Sequence, residues 1–316
     1  MICLKKVLTI TKISKCFKTF KLKIIITGGS GLLGQYLNRK LSESNTILTL
    51  YNSNTGNCDD YNSLKIDLTD QKKLRSLVSE FNPDVIIHTA AVSRPEICDT
   101  LPENEVIDIN INSTKTIAEI CHSNNAKLIF TSTDLIYNGE RVKPAVEEEE
   151  SAPVSFYAET KVRSENAIRD VFDNYVILRT SLLYGLGFNH SVNNFHMMFH
   201  NFRNGKPVKL FYDQFRTPLE LNDAAELISK LLNPEIKEIT LNFGGLQRVS
   251  RYELGEILCE IAGFEKSLII RTSMNDIPGL HKVKDVSMNT GKLNSLGIKQ
   301  KSIEESLRYI LDNFRE

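Results

Sequence analysis

An α/β fold with a doubly wound parallel sheet is what the sequence predicts from Lys23 onward, and three observations predict it. Short runs rich in Ile, Val and Leu alternate along the chain with stretches of helical periodicity, the pattern of a parallel sheet covered on both faces. Turn residues punctuate these runs, as in "FNPDVIIHTAA", where Pro83 and Asp84 turn the chain into a buried strand. The first strand, in "KIIITGGSGLLGQ", breaks at a glycine turn and passes straight into a helix.

In order, the expected strands are Lys23–Thr27, Thr46–Tyr51, Ser63–Ile66, Val85–Thr89, Lys127–Ser132, Val176–Arg179 and Glu238–Phe243. Helices are expected over 31–42, 70–80, 103–123, 156–172 and 222–232 between them. After Arg179 the alternation loosens into a stretch rich in Asn, His and aromatic residues, with helices near 191–204, 250–262 and 303–314. The expected division is a dinucleotide-binding domain of residues 22–185 plus 212–245, and a smaller α/β substrate-binding lobe of 186–211 plus 246–316. Glu147–Glu150 reads as a solvated acidic loop.

The chain of 316 residues is 41% hydrophobic and 25% charged, which fits a globular protein of one or two domains. Formal net charge is zero, but the first 23 residues hold seven lysines and no acid, leaving 32 basic against 39 acidic residues, a net of −7. An acidic body gives no reason to expect a nucleic-acid partner. No apolar run reaches the roughly 20 residues that span a bilayer, so no membrane partner is expected. Cys3, Cys16, Cys58, Cys98, Cys121 and Cys259 form no CxxC pair, which speaks for reduced thiols in a cytoplasmic protein. Residues 1–21 read as a disordered extension or an early start, with a targeting or membrane-surface segment as the alternative.

Function is sought at the strand ends, because open parallel sheets bind ligands beyond the carboxyl ends of their strands. Gly28, Gly31 and Gly34 let the backbone come close to a bound group, and the helix that follows aims its free N–H groups at the turn. With Ser30, Leu32 and Leu33 these glycines form the expected pyrophosphate cradle. Asp67, with Leu68 beside it, is placed to accept from an adenine amino group. Ala90 and Ala91 in "HTAA" are small enough for a flat ligand to lie against the backbone. The stretch "LTLYNSNTG" offers Asn52, Ser53 and Asn54 where an acid would select NAD(H), so NADP(H) is the preferred cofactor with NAD(H) as the alternative.

Thr133 follows the strand from Lys127, and Tyr157 and Lys161 in "YAETK" stand four apart on one helix face. A lysine ammonium beside a phenol favours the phenolate. Such a tyrosine passes a proton to a carbonyl oxygen while a hydride arrives from a cofactor, and Thr133 holds the same oxygen. Lys161 and Tyr157 then also touch the cofactor. His196 and His200 are four apart on a helix without an HExxH pattern, so lobe packing or substrate contact is preferred over a zinc pair, and no metal is expected. Phe195, Met197, Met198 and Phe199 read as core. Arg179 and Arg216 are candidates for a ligand diphosphate, Arg179 equally for a structural ion pair.

With these residues in view, the sequence resembles the extended short-chain dehydrogenases/reductases, and within them the dTDP-4-dehydrorhamnose reductase group, over roughly residues 23–300. "TGGSGLLGQ", "DVIIHTAA", "FTSTDLIYNGE", "YAETKVRSENAI", "LRTSLLYG", "DQFRTPLELNDAAELI" and "RYELGEILCEIAG" carry the resemblance. It implies a Rossmann-type sheet and puts the family's catalytic Thr/Ser, Tyr and Lys on Thr133, Tyr157 and Lys161. It also puts a helix asparagine near the site on Asn110, two acids on Glu96 and Asp99, and Gln214–Thr217 at the edge of the substrate cleft. The activity implied is NAD(P)H-dependent reduction of a nucleotide-linked 4-keto-6-deoxysugar, with the nucleotide sugar as partner and dTDP-L-rhamnose synthesis as the pattern. Val92 and "SRPE" depart from the reductases and are closer to the related regulatory beta subunit of methionine adenosyltransferase. Two alternatives follow: an NAD-dependent epimerase or dehydratase, and a non-catalytic NADP-binding regulatory subunit. Asp134 without a following Glu weakens the dehydratase. A homodimer is the default assembly.

Overall fold

The computed structural model describes residues 21–140, 143–279 and 281–314, so all of the expected extension except Lys21 lies outside the described residues. All seven expected strands form, with ends moved by a residue or two: β1 Lys23–Thr27, β2 Thr46–Tyr51, β3 Ser63–Lys65, β4 Val85–His88, β5 Lys127–Thr133, β6 Tyr175–Thr180 and β7 Ile239–Phe243. They make one sheet in the order β7-β6-β5-β4-β1-β2-β3, every neighbouring pair parallel. The strand order reverses between β1 and β4, where Ile24 stands opposite Val85 and Thr27 opposite His88. That reversal opens the crevice of a Rossmann-type fold.

The longer helices are α1 Leu32–Ser42, α2 Gln71–Phe81, α3 Ser113–Ser123, α4 Phe156–Arg169, α5 Asn194–Arg203, α6 Leu221–Lys230, α7 Arg251–Ala262 and α8 Ile303–Asn313. The two-residue period of the strands sends Ile24 and Ile26 to one face and Ile25 to the other. Leu33, Leu37 and Leu41 of α1 and Leu221, Ala224 and Ile228 of α6 cover the first face, packed on Ile47, Ile87, Val176 and Phe243. Leu74 and Val78 of α2, Ile117 and Cys121 of α3 and Ile168 of α4 cover the second, on Leu48, Ile86, Leu128 and Ile177. Leu293 and Ile298 return from late in the chain to the first face.

A second apolar cluster joins Phe195, Phe199 and Phe202 of α5 to Leu254 and Leu258 of α7 and Leu307 and Ile310 of α8. Beside it Val208–Phe211 pairs in parallel with Ile269–Thr272. Helices α7 and α8 both start at a capping box, Ser250 with Glu253 and Ser302 with Glu305.

Three local expectations are corrected. The helix over 103–123 is broken: Glu103–Ile107 is followed by a π turn, Asp108–Asn112, before α3. The acidic run is not wholly solvated, since Glu147 Oε1 accepts from Asn242 N at 2.8 Å and Glu149 Oε1 from Val146 N at 2.9 Å. Met197 is 53% exposed, while its neighbours Phe195, Met198 and Phe199 are core as expected.

Candidate functional site

A cleft of about 1110 Å³ runs over the carboxyl ends of β1 to β6 and on to the second cluster. At its nucleotide end the first strand turns at Gly28, whose φ of +67° suits glycine. A Cβ there would lie 2.8 Å from Ala90 N, so any side chain would displace the "HTAA" backbone. Gly31 is the N-cap of α1 and supplies no side-chain cap, which leaves the first N–H groups of the helix to a ligand. At Gly34 a Cβ would sit 2.1 Å from Gly28 O, so only glycine lets α1 pack against the turn. Gly28, Ser30, Gly31, Leu32, Leu33 and Gly34 all line the cleft. The residues present fit a dinucleotide pyrophosphate.

Asn52, Ser53, Asp67, Leu68, Ala90 and Ala91 line the same end. Asp67 is exposed, and its Oδ1 accepts from Thr69 N at 2.9 Å and Thr69 Oγ1 at 2.8 Å. Asn110 differs from expectation. It is 1% exposed and does not line the cleft. Its Oδ1 accepts from Val92 N at 2.8 Å, and its Nδ2 donates to Val92 O at 3.2 Å and Thr160 Oγ1 at 3.0 Å. It braces the segment after β4 against α4 from behind.

Thr133, Tyr157 and Lys161 line the middle of the cleft. Tyr157 is 7% exposed, packed with Cys98 and Val106. Lys161 is 3% exposed and donates from Nζ to Thr131 O at 2.8 Å. Burial pulls its ammonium down to about 8, opposed by Glu165 and Cys98. Burial pushes the Tyr157 phenol up, Asp134 adds to the rise, and the hydrogen bond with Thr133 opposes it. The lowering expected from Lys161 is not found: its ammonium turns to Thr131 O, and burial and Asp134 set the direction of the Tyr157 shift.

At the far end, Arg216 and Arg251 both line the cleft beside Asp134. Arg216 Nε stands 3.4 Å from Asp134 Oδ2. Burial, with Arg216 close by, pulls Arg251 down to about 10, and its Nε is buried without a hydrogen-bond partner among the described residues. Of Gln214–Thr217, Arg216 alone lines the cleft. Sequence reasoning missed Arg251, which lies at the start of the quoted "RYELGEILCEIAG", and treated Asp134 only as a dehydratase mark. Arg179 does not line the cleft; it pairs with Glu165 at 3.1 Å, the structural alternative. Glu96 lines the cleft, whereas Asp99 Oδ2 is 2.7 Å from His281 Nε2.

The segment 186–193 spans from the cleft to α1. Tyr36 Oη donates to Leu186 O at 2.5 Å, Ser191 Oγ to Ser30 O at 2.9 Å, and Gln35 Nε2 to Phe188 O at 3.3 Å. His196 Nδ1 accepts from Gly187 N at 3.1 Å, and its ring lies 4.4 Å from that of His200.

The chain is similar to several known proteins. A probable low-salt glycan biosynthesis reductase of Haloferax volcanii is 29% identical over 298 residues, 89% of this chain and 95% of that one. Methionine adenosyltransferase 2 subunit beta of Mus musculus is 25% identical over 300 residues, 90% of this chain and 87% of the relative. The crystal structure of dTDP-4-dehydrorhamnose reductase from Bacillus anthracis in complex with NADP superposes with a TM-score of 0.81 at 23% identity, covering 93% of this chain and 100% of that one. The model of the RmlD substrate binding domain matches residues 22–316, and the chain belongs to that family.

Proposed function

We propose that the chain is an NAD(P)H-dependent reductase of a nucleotide-linked 4-keto-6-deoxysugar, with dTDP-4-dehydrorhamnose as the leading substrate. One observation carries the reading: a single cleft holds the glycine cradle, then Thr133, Tyr157 and Lys161, then the paired Arg216 and Arg251. The reduced nicotinamide supplies a hydride. Gly28, Gly31, Gly34 and the start of α1 hold the pyrophosphate, and Asn52 and Ser53 bind the ribose side, with NADP(H) preferred because no acid stands there to repel a 2′-phosphate. Lys161 holds the nicotinamide ribose.

Thr133 Oγ1 donates to the keto oxygen and orients it beside Tyr157. As the keto carbon takes the hydride, its oxygen takes the Tyr157 proton, giving an alcohol and a phenolate that Lys161 stabilises. The walls around Tyr157 exclude water from that transfer. Arg216 and Arg251 bind the substrate diphosphate, and Asp134 keeps Arg216 aimed. The four described cysteines, all free and buried, agree with a cytoplasmic setting, and a homodimer is the assembly proposed.

A second reading has its own support. The likeness to a methionine adenosyltransferase subunit beta, together with the Val92–Glu96 wording, favours a cofactor-binding subunit that regulates a partner. The intact Thr133, Tyr157 and Lys161 favour the reductase. Oxidation of NADPH with dTDP-4-dehydrorhamnose, followed by absorbance, separates the two. Tyr157→Phe abolishes it in the reductase reading and leaves NADPH binding within a few-fold. NADPH binding without oxidation, plus co-purification with a larger enzyme, supports the regulatory subunit.

A further inference from the structure

We propose that Glu165 is a positioning residue for the Thr133, Tyr157 and Lys161 set: through Ser132 it fixes the end of β5 against α4, and it places a negative charge one helical turn from Lys161. The inference rests on the reductase reading above. Tyr157, Lys161 and Glu165 follow one another at intervals of four on α4 and so share one face. Opposite them, β5 presents Thr131, Ser132 and Thr133 in succession. Lys161 Nζ donates to Thr131 O at 2.8 Å, and Ser132 Oγ donates to Glu165 Oε1 at 2.5 Å. These two bonds set the register of helix against strand, and that register decides how far Thr133 stands from Tyr157.

Glu165 is 1% exposed, and both of its oxygens are engaged. Oε1 also accepts from Arg179 Nε at 3.3 Å, while Oε2 accepts from Arg179 Nη2 at 3.1 Å and Arg169 Nη2 at 2.8 Å. Arg179 lies on β6 directly opposite Ser132 and donates further to Tyr137 Oη at 2.9 Å and Glu147 O at 2.8 Å. Although burial opposes it, Arg179 and the hydrogen bonds hold the Glu165 carboxyl below its usual range, so it is charged at neutral pH.

The titratable groups facing Lys161 are Tyr157 and Glu165 on α4, Cys98 of the short helix Pro95–Cys98, and His88 of β4, with the Phe130 ring 4.5 Å from Nζ. Cys98 is pushed up to about 11 by burial, and His88 is pulled down to about 3 by burial. Both are neutral where the enzyme works. Glu165 is then the anion that favours the Lys161 ammonium against burial. If Glu165 served only to neutralise Arg179, Lys161 would not notice its loss.

The test labels lysine at Cε and follows Lys161, assigned with Lys161→Met, by NMR from about pH 6 to pH 11. Native protein is expected to titrate near 8. In Glu165→Gln, which keeps an acceptor for Ser132, the midpoint falls by roughly one unit or more. NADPH affinity, read by fluorescence, then weakens from a correspondingly lower pH. In Ser132→Ala the midpoint stays put, and NADPH turnover with dTDP-4-dehydrorhamnose drops by about tenfold. A Glu165→Gln midpoint equal to the native one overturns the proposal. If that variant does not fold, native turnover in Ser132→Ala overturns it instead. Native protein that fails to bind NADPH overturns the reductase reading, whereas the Lys161 titration needs no cofactor and judges Glu165 separately.

Discussion

Arg216 and Arg251 reach one stretch of the cleft from different elements, with Asp134 as the acid beside them. Asp134 and Asp285 both act on Arg216, but Asp285 is shared with Arg248 at 2.7 Å, so three guanidiniums face two carboxylates, and Arg251 Nε has no hydrogen-bond partner among the described residues. In the proposed reading an anion on the substrate satisfies both. Replacing Arg251 by Met is expected to raise KM for the nucleotide sugar about tenfold or more, with the NADPH dissociation constant unchanged; steady-state kinetics and fluorescence titration check it. Thr133→Val is expected to lower kcat by about a hundredfold with little change in NADPH binding. At this scale the sequence marked Thr133, Tyr157 and Lys161 because they sit in local patterns. It did not mark Arg251, which has only an ordinary helix start around it. Nor could it separate Arg179 from Arg216: the difference is that Arg179 meets Glu165 and Arg216 meets the cleft. The sign of the Tyr157 shift was also hidden, because burial depends on Cys98 and Val106, brought there by the fold.

Elements carry the next consequences. His88 of β4 bridges β1 and α3, sharing hydrogen bonds of 2.7 Å with Thr27 Oγ1 and 2.9 Å with Thr114 Oγ1. Thr114 gives its hydroxyl proton to Asn110 O at 2.6 Å, so Nε2 of His88 carries the hydrogen and Nδ1 accepts from Thr27. Burial, with the Lys161 charge adding to it, pulls His88 down to about 3. The unfolded chain therefore binds a proton near pH 6.5 that the folded chain refuses. Stability is full above that pH and is lost as pH falls, by up to about 1.4 kcal/mol per pH unit from this group. Urea unfolding at about pH 7 and pH 5 measures the drop, and His88→Gln shrinks it. At the start of α1, Gly34→Ala would drive a Cβ into Gly28 O. It is expected to raise the NADPH dissociation constant at least about tenfold and to lower Tm. The parallel strands and the helices on them were legible because period and punctuation are local. The π turn at Asp108–Asn112 was not, since the Asn110–Val92 hydrogen bond that accompanies it joins residues 18 positions apart.

For the whole molecule, the doubly wound sheet followed from the alternation of strands and helices, but the shape of the cleft depends on contacts between distant segments. Phe188 lies on Tyr36 with ring centroids 4.7 Å apart, and Arg39 packs over Phe188 at 5.0 Å, so the segment 186–193 is tied to the helix that begins the nucleotide cradle. Cofactor and substrate ends are thereby held in one cleft. No charge or period in the sequence announces that tie. On the proposed reading, NADPH binding and sugar reduction then belong to the same site. The most direct measurement is NADPH and NADH oxidation with dTDP-4-dehydrorhamnose, comparing native protein with Tyr157→Phe. Oxidation by the native protein, faster with NADPH and absent in the variant while NADPH stays bound, is the result expected. Native-rate oxidation in Tyr157→Phe would contradict the assignment of the proton donor, and NADPH binding with no oxidation of either cofactor would contradict the reductase itself.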